Sequence, residues 1–277
     1  MDLCAVVLAA GEGRRLRPLT ESLPKALCPV GNVPLLDRAL TRLSGHGLSG
    51  PDVVAVNACY LADRVAGHVH GRAHVSIEPG PPPLGTAGAL AHLRDWIADR
   101  AVLVGNADAY LDGDPTIDLR TLLHGWDGTT VRLLGVPAQP RPAEFGAHRF
   151  AGFSLVPAAV AADLPDEWGD LVRQVWRPAE RAGRLEVVEN DGLYLDTGTP
   201  ADFLAANLHA AGPASLVAPE AVVTGRVERS VVGAGAQVSG SLLRCVVLPG
   251  GYVGAGERLV DAIRVGRDVT VPGRPAG

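Results

Sequence analysis

The 277-residue sequence has almost no lysine, no paired cysteines and no long uncharged apolar run. No apolar stretch reaches membrane-spanning length, and the opening Met-Asp-Leu-Cys lacks a basic segment, so we expect neither a membrane span nor a secretory signal. The four cysteines form no C-x-x-C pair, which argues against a disulfide framework or a zinc site. A net charge of −5 offers no basic surface to nucleic acid or to an anionic membrane. We therefore expect a cytoplasmic protein with neither of these partners.

Lysine occurs once, at Lys25; because Lys and Arg together number 25, the remaining 24 are arginines. The two side chains are not equivalent, since lysine ends in a compact point charge and arginine in a broad planar fork. A chain that otherwise uses arginine and keeps one lysine indicates a site that needs a small cation. Chance survival of a single lysine is the alternative.

Short apolar segments alternate with helical patterns in the first part of the chain. Strands are predicted at 3–10, 53–56, 75–77 and 101–104, and helices at 34–43, 60–65 and 88–98. This alternation predicts an α/β domain in which a parallel sheet carries helices on both faces. Ligands of such sheets bind at the carboxyl ends of the strands, where the loop after Ala10 and the carboxylate of Asp108 are expected.

The C-terminal part follows a different period. Apolar residues recur at every sixth position from Val247, and shorter runs with the same step occur earlier; the members are Val217, Val223, Val232, Val238, Val247, Val253, Leu259, Val265 and Val271. A six-residue period is typical of the hexapeptide repeat of a parallel β-helix; an ordinary pair of Val/Gly-rich strands is the alternative. The predicted domains are 1–212 and 213–277, with the boundary near Gly212-Pro213. Because such coils have flat, stackable ends, we expect the tail to join copies of the chain into a homo-oligomer.

A glycine-rich loop follows the first strand and reads Gly11-Glu12-Gly13-Arg14-Arg15-Leu16-Arg17-Pro18-Leu19-Thr20, with Pro24-Lys25 shortly after. Glycines allow backbone N–H groups to approach an anion, and two cations within reach suit a triphosphate. Two common nucleotide motifs do not fit. The dinucleotide pattern G-x-G-x-x-G has Leu16 in place of its third glycine, and the Walker pattern lacks its lysine.

This loop closely resembles the signature of the sugar-phosphate nucleotidyltransferases, L-A-A-G-x-G-x-R-L-x-P-L-T followed by P-K. Further segments resemble that family in the same order along the chain: Val54–Leu61, Glu78 with Leu84–Ala89, Asn106–Asp108 and Leu195–Pro200. Hexapeptide tails also occur in many members. Within the family, the chain is most similar to the mannose-1-phosphate guanylyltransferase branch.

The resemblance implies a Rossmann-like, mixed, mostly parallel sheet and a short left-handed parallel β-helix at the C-terminus. It also implies an Mg²⁺-dependent enzyme that forms an NDP-sugar from a nucleoside triphosphate and a sugar 1-phosphate and releases pyrophosphate. GTP and mannose 1-phosphate are favoured. The alternatives are uridylyl, thymidylyl or cytidylyl transfer to another phosphorylated acceptor, or a non-catalytic regulatory subunit.

The resemblance also assigns roles to individual residues. Arg15 and Lys25 would be catalytic, because they neutralise charge on the phosphates. Their presence, together with that of Asp108 and Asp196, argues against a non-catalytic subunit. Asp108 and Asp196 would hold Mg²⁺, a hard ion that takes one or two carboxylates besides phosphate oxygens. The residues that would bind the nucleotide are Leu8, Ala9, Ala10, Gly11, Glu12, Gly13, Glu78, Leu84, Gly85, Thr86 and Asn106.

The acceptor side departs from the family, whose members usually carry Glu-Lys-Pro there. The corresponding region, 137–152, contains no lysine, and Glu144, Arg149 and Gly152 are the candidates for binding the acceptor. Either an arginine contacts the sugar phosphate or the acceptor is not the usual hexose 1-phosphate. An acyltransferase, another enzyme built on hexapeptide coils, would need a histidine on the coil, whereas the last histidine is His209. A scaffold protein would need no metal-binding carboxylates.

Overall fold

The computed structural model describes residues 2–113, 115–138 and 141–273, with backbone alone at 115–118. Up to residue 211 the elements are, in order, β1 (Leu3–Leu8), β2 (Pro29–Val30), β3 (Val33–Pro34), α1 (Leu35–Ser44), β4 (Val54–Ala58), α2 (Ala62–Val69), β5 (His74–Ile77), α3 (Gly85–His92), α4 (Arg94–Ile97), β6 (Ala101–Asn106), β7 (Ala109–Leu111), α5 (Pro115–Leu123), β8 (Val131–Pro137), β9 (His148–Val156), α6 (Ala158–Ala162), α7 (Arg177–Arg181), β10 (Leu185–Glu189), β11 (Tyr194–Asp196) and α8 (Pro200–Ala211). Short 3₁₀ turns lie at Arg14–Leu16 and Lys25–Leu27, and a π-helical turn at Val172–Trp176 precedes α7.

The chain forms two compact units. The first contains residues 1–12 and 36–194, and the second contains residues 13–35 and 195–277. The predicted domains, 1–212 and 213–277, divide the chain differently, because the glycine-rich loop and α8 belong to the same unit as the tail. Partly buried polar contacts within the second unit explain this grouping: the Gly31 N–H donates to Asn207 Oδ1 (3.0 Å), and Asn32 Nδ2 donates to the Val232 carbonyl (3.1 Å).

The first unit is built on a seven-stranded sheet with the order β10-β8-β9-β6-β1-β4-β5. Strand β1 is parallel to both β4 and β6, and β5 is parallel to β4. Strand β9 runs antiparallel to both β6 and β8. The predicted mixed, mostly parallel sheet is therefore confirmed.

Burial explains why these segments adopt their structures. The residues of β1 from Cys4 to Val7 are fully buried, as expected of a central strand covered on both faces. Helix α1 buries Leu36, Ala39 and Leu43, which are spaced along one helical face.

The predicted helix 88–98 begins earlier and is divided. Helix α3 starts at Gly85 and ends before Leu93, where α4 begins after a residue with φ of −91° and ψ of 7°. The sequence indicated a single helix because the apolar pattern continues across Leu93, which is itself buried. The early start depends on Gly85, whose φ of +80° suits glycine.

The tail consists of short strands: β12 (Leu216–Val217), β13 (Val222–Val223), β14 (Arg226–Glu228), β15 (Val231–Val232), β16 (Gln237–Val238), β17 (Ser241–Leu243), β18 (Val246–Val247), β19 (Tyr252–Val253), β20 (Arg258–Val260), β21 (Ala262–Val265) and β22 (Val269–Pro272). The strands from β12 to β21 alternate among three sheets in which neighbouring strands are parallel. The first sheet stacks β12, β15, β18 and β21, the second β13, β16 and β19, and the third β14, β17 and β20. This arrangement is consistent with a β-helix, and its left-handed winding stays a prediction.

The strand register explains the interruptions in the six-residue period. Val217 pairs with Val232 and Val232 with Val247, so these two coils take 15 residues each rather than 18. Val247 pairs with Arg264, so the last coil takes 17 residues. In the 15-residue coils the six-residue step separates the first and second sheets, and the other two sides are shorter. In the last coil the step from Val253 on β19 to Leu259 on β20 is also six residues, which is why the period continues there. The last apparent repeat, Val271, lies on β22, which pairs antiparallel with β21 and ends the coil.

Across the described residues, no helix is both long enough and apolar enough to span a membrane.

Candidate active site

A cavity of about 220 Å³ lies in the first unit where β1, β4, β5 and β6 end. We call it the strand-end cavity, and its walls are formed by Leu8, Ala10, Gly11, Asn57, Glu78, Pro83, Gly85, Thr86, Asn106 and Asp108. Seven of the eleven predicted nucleotide-binding residues are in this set, as is the predicted metal ligand Asp108. Parallel strands bring these residues together, because their carboxyl ends meet at one edge of the sheet.

A series of linked hydrogen bonds holds the residues at the base of this cavity in place. The Ala9 N–H donates to Asn57 Oδ1 (2.7 Å), and Asn57 Nδ2 donates to Glu78 Oε1 (2.7 Å). The Leu84 N–H donates to Glu78 Oε2 (2.8 Å), so both carboxylate oxygens are bonded. Glu78 is 3% exposed, and a buried carboxylate is tolerated only when it is hydrogen-bonded in this way. These hydrogen bonds link the ends of three strands to the start of α3.

Asn57 and Pro83 line the cavity but were not predicted as site residues. Asn57 carries a usable signal, since an amide that ends an apolar strand is a buried polar group in need of partners. Of the predicted residues, Ala9 and Leu84 contribute backbone N–H groups to the hydrogen bonds just described, and Glu12 does not line the cavity.

The start of α3 packs against the segment 167–171, a contact that the sequence analysis did not foresee. The Ala87 N–H donates to the Gly169 carbonyl (3.0 Å), and the Leu171 N–H donates to Thr86 Oγ1 (2.8 Å). A Cβ atom on Gly85 would lie 2.3 Å from the Gly169 oxygen. The glycine is therefore required by close backbone approach as well as by its positive φ.

The second unit brings Arg15, Lys25 and Asp196 together. Arg15 Nη2 lies 3.8 Å from Asp196 Oδ2, and Lys25 Nζ lies 3.8 Å from Asp196 Oδ1. Their exposure differs, because the Lys25 side chain is 11% exposed and that of Arg15 is 69% exposed. The two predicted catalytic cations and one predicted metal ligand thus form one cluster.

The segment Leu195–Pro200 positions Asp196 by ending a strand and starting a helix. Thr199 caps α8, since its Oγ1 accepts the Asp202 N–H at 3.2 Å, and Pro200 occupies the first turn. Gly198 lies against the cluster, where an added Cβ would be 2.6 Å from Arg15 Nη2. The Thr-Gly-Thr-Pro part of the motif therefore has a local structural explanation.

Gly13 belongs to this unit rather than to the strand-end cavity. Its φ is +63°, and an added Cβ would lie 2.9 Å from Thr20 Cγ2 and 3.0 Å from Lys25 Cβ. Thr20 Oγ1 donates to the Gly13 carbonyl (2.9 Å). The glycine lets the loop turn directly over the base of the Lys25 side chain.

The three acceptor candidates do not line one cavity together. Glu144 lies on the wall of a second cavity, where its Oε2 accepts the Phe150 N–H at 3.0 Å. Arg149 lines neither of these two cavities. Gly152 has a φ of +85°, and an added Cβ would lie 2.4 Å from Ala109 Cβ, which indicates close packing of β9 on β7.

Over the described part of the chain, no group of three or more His, Cys, Asp or Glu side chains could hold a metal ion. A closed site made of protein ligands alone is therefore not present among these residues. Asp108 and Asp196 belong to different units, and their joint action stays a prediction.

The thiols are not suited to nucleophilic chemistry. Burial raises the pKa of Cys4 to about 11 and that of Cys28 to about 12. Burial also raises the pKa of Cys245, and that of Cys59, where the nearby Glu78 and Glu12 carboxylates add to the effect. Each thiol is protonated at neutral pH, and the thiolate is the reactive form.

Residues 4–152 match the nucleotidyl transferase family. The match covers more than half of the chain. This chain belongs to that family.

Two curated relatives show how the similarity is distributed. The N-acetylmuramate alpha-1-phosphate uridylyltransferase of Caulobacter vibrioides is 27% identical over 232 residues, covering 73% of this chain and 94% of that protein. A mannose-1-phosphate guanyltransferase of Emericella nidulans is 30% identical over 229 residues, covering 72% of this chain but 62% of that protein. The relatives therefore transfer different nucleotides.

Among solved structures, a protein described as a glucose-1-phosphate thymidylyltransferase, from Bacillus anthracis, superposes with a TM-score of 0.61 at 18% identity. The superposition covers 75% of this chain and 95% of that chain, and at this identity it supports the fold alone.

Replacing Gly13 by alanine should destabilise the second unit and displace Lys25. The left-handed φ costs an alanine about 1 kcal/mol, and the two short contacts add a similar amount. Gly235→Ala is the matched control, because Gly235 lies in the same unit with a φ of +67° and has no atom within 4 Å of an added Cβ. Denaturant unfolding should show the larger loss for Gly13→Ala, and equal losses would contradict the packing argument.

Proposed function

We propose that this chain is a nucleotidyltransferase that couples a nucleoside triphosphate to a sugar 1-phosphate and releases pyrophosphate. The proposal rests chiefly on the strand-end cavity, in which Gly11, Glu78 and Asp108 meet at the carboxyl edge of a mostly parallel sheet. The second unit adds the cluster of Arg15, Lys25 and Asp196. Family membership and the names of the relatives agree with this class of reaction.

The reaction needs positioning and charge stabilisation more than proton transfer. A phosphate oxygen of the sugar 1-phosphate attacks the α-phosphorus, and the bond from the α-phosphorus to the bridging oxygen breaks as pyrophosphate leaves. The attacking oxygen is already anionic at neutral pH, so no general base is required. Lys25 and Arg15 stabilise the charge that develops on the phosphates.

Asp108 and Asp196 would hold Mg²⁺. Their carboxylate oxygens are the hard ligands that Mg²⁺ prefers, and it is usually bound by one or two carboxylates together with substrate phosphates. This chemistry fits a chain whose described residues offer single carboxylates rather than a cluster of three. Bound there, the ion would neutralise phosphate charge.

GTP is the favoured nucleotide. Each Glu78 oxygen accepts one N–H from the protein, and a carboxylate oxygen can accept a second. Guanine presents two adjacent N–H donors, which suit a carboxylate, whereas uracil and thymine present one N–H between two carbonyl oxygens. UTP, dTTP and CTP are the alternatives, and mannose 1-phosphate is the acceptor favoured by the resemblance.

Purified protein should release pyrophosphate when supplied with a nucleoside triphosphate, a sugar 1-phosphate and Mg²⁺. A panel of the four nucleotides against several sugar 1-phosphates should give the highest kcat/KM with GTP, and excess chelator should remove turnover. No pyrophosphate under any combination would refute the proposed reaction, and full turnover in chelator would refute the metal.

In the same assay, Asp108→Asn and Asp196→Asn should each lower kcat by about 100-fold or more, since a neutral amide is a poor Mg²⁺ ligand. Asp99→Asn, at an exposed position, is the control and should keep full activity. Circular dichroism should show that all three variants are folded.

Lys25→Arg should lower kcat by about 100-fold or more, which corresponds to about 2.7 kcal/mol of transition-state stabilisation. The charge is conserved, but a guanidinium fork is broader than an ammonium, and Lys25 lies in a nearly closed position behind Gly13. The loss should fall on kcat because the contact strengthens as charge moves in the transition state.

Steady-state kinetics should be measured for Lys25→Arg, Lys25→Ala and Arg226→Lys. They distinguish a specific need for lysine at position 25 from a need for any cation there. Arg226 lies in the same unit with its side chain 79% exposed, so exchanging its cation should leave kcat unchanged. Wild-type kcat in Lys25→Arg would show that the single lysine has no special role.

A cytoplasmic homo-oligomer formed through the tail is also part of the proposal. Val217 and Val222 are 45% and 59% exposed on the first coil, where they would suit contact with a second copy. Light scattering should give more than one chain per particle, and Val222→Asp should lower that mass. A monomeric wild-type protein would contradict this assignment.

A further inference from the structure

A second cavity of about 290 Å³ in the first unit shares Thr86 and Asn106 with the strand-end cavity. We call it the aromatic cavity. Its position beside the proposed nucleotide site suits the acceptor, and a role for it in binding the acceptor rests on the proposed function.

Three aromatic rings form much of its wall. The Phe150 and Trp176 ring centroids are 4.5 Å apart, and those of Phe145 and Trp176 are 5.9 Å apart in an edge-to-face arrangement. Val104 and Val172 extend the apolar surface. Such a wall favours an alkyl group over a ring of hydroxyls, which would lose hydrogen bonds to water there.

Two residues of this wall, Ser154 and Trp176, each carry a buried polar atom. Ser154 is fully buried and Trp176 is 6% exposed. Within residues 2–113, 115–138 and 141–273, neither Ser154 Oγ nor Trp176 Nε1 has a hydrogen-bond partner. A buried group without a partner costs about 1–3 kcal/mol, so its presence calls for an explanation such as a ligand.

The backbone around Trp176 is also unusual. Val172–Trp176 is a π-helical turn, a rare conformation that often marks functional sites. It directs Val172 and Trp176 to the same cavity. The fold therefore departs from an ordinary helix at the point where it presents the indole.

The guanidinium of Arg177, which lines this cavity, already has partners within the protein. Arg177 Nη1 donates to Glu180 Oε2 (2.6 Å), and its Nη2 donates to the Glu144 carbonyl (2.8 Å). The same guanidinium lies 4.3 Å from the centroid of the Phe145 ring. The aromatic cavity thus suits a neutral group rather than a second anion.

We infer that the aromatic cavity takes the acylamino substituent of a sugar 1-phosphate, as in an N-acetylated hexosamine. The methyl group packs on Phe145 and Phe150, the carbonyl oxygen accepts from Trp176 Nε1, and the amide N–H donates to Ser154 Oγ. A hydroxyl group in place of the acylamino group would put a polar group against the aromatic rings. A deoxy carbon there would leave Trp176 Nε1 and Ser154 Oγ without hydrogen-bond partners. The substituent differs from that of mannose 1-phosphate, which the resemblance favoured.

The test compares N-acetylglucosamine 1-phosphate with glucosamine 1-phosphate, glucose 1-phosphate and mannose 1-phosphate, each with the best nucleotide. The acetylated substrate should have a kcat/KM at least 10-fold above the others. Trp176→Phe keeps the ring and removes the N–H, so it should lower kcat/KM about 10-fold for the acetylated sugar alone. Trp126→Phe is the matched control, because the Trp126 indole donates to the Thr130 carbonyl away from the cavity.

Equal use of all four sugars, or an equal loss on all of them in Trp176→Phe, would overturn the inference. Ser154→Ala gives a second, smaller perturbation that should also discriminate against the acetylated sugar. If no sugar phosphate turns over, the proposed reaction fails, and calorimetric binding of N-acetylglucosamine 1-phosphate still tests the cavity. Binding that is lost in Trp176→Phe would support the cavity assignment, and no binding to the wild type would refute it.

Discussion

The buried carboxylate of Glu78 is the constraint on which the strand-end cavity depends. It accepts hydrogen bonds from Asn57 Nδ2 and from the Leu84 N–H, while Asn57 in turn holds the Ala9 N–H. These bonds tie β1, β4 and β5 to the start of α3 at the edge of the sheet where a ligand would enter. Because a buried charge without partners is strongly unfavourable, the loops are held in one arrangement and the cavity is preformed.

Glycines permit close contacts in each part of the candidate site. Gly85 lets the start of α3 meet the Gly169 carbonyl, and Gly13 lets the loop turn against Lys25. Gly198 leaves room beside Arg15. In all three cases the absence of a side chain permits a close contact within the protein. The glycines of these motifs are therefore needed for packing, whether or not they also bind phosphate.

The two proposals divide the substrate between two cavities of the first unit. The strand-end cavity offers backbone amides and carboxylates, which suit a nucleotide, whereas the aromatic cavity offers rings and two buried polar atoms, which suit a substituted sugar. Thr86 and Asn106 contribute to both.

The sequence alone was enough to predict the α/β sheet, the family and most of the strand-end cavity. These features follow from local patterns: apolar runs mark strands, their ends mark the ligand edge, and the ordered motifs occupy those ends. The coils of 15 and 17 residues, the π-helical turn at Val172–Trp176 and the contact of α3 with Gly169 required the structure. So did the aromatic cavity, because Phe150 and Trp176 are far apart in sequence and meet only when β9 and the turn before α7 pack together. Contacts between distant segments leave no periodic signal, and tertiary packing alone decides them.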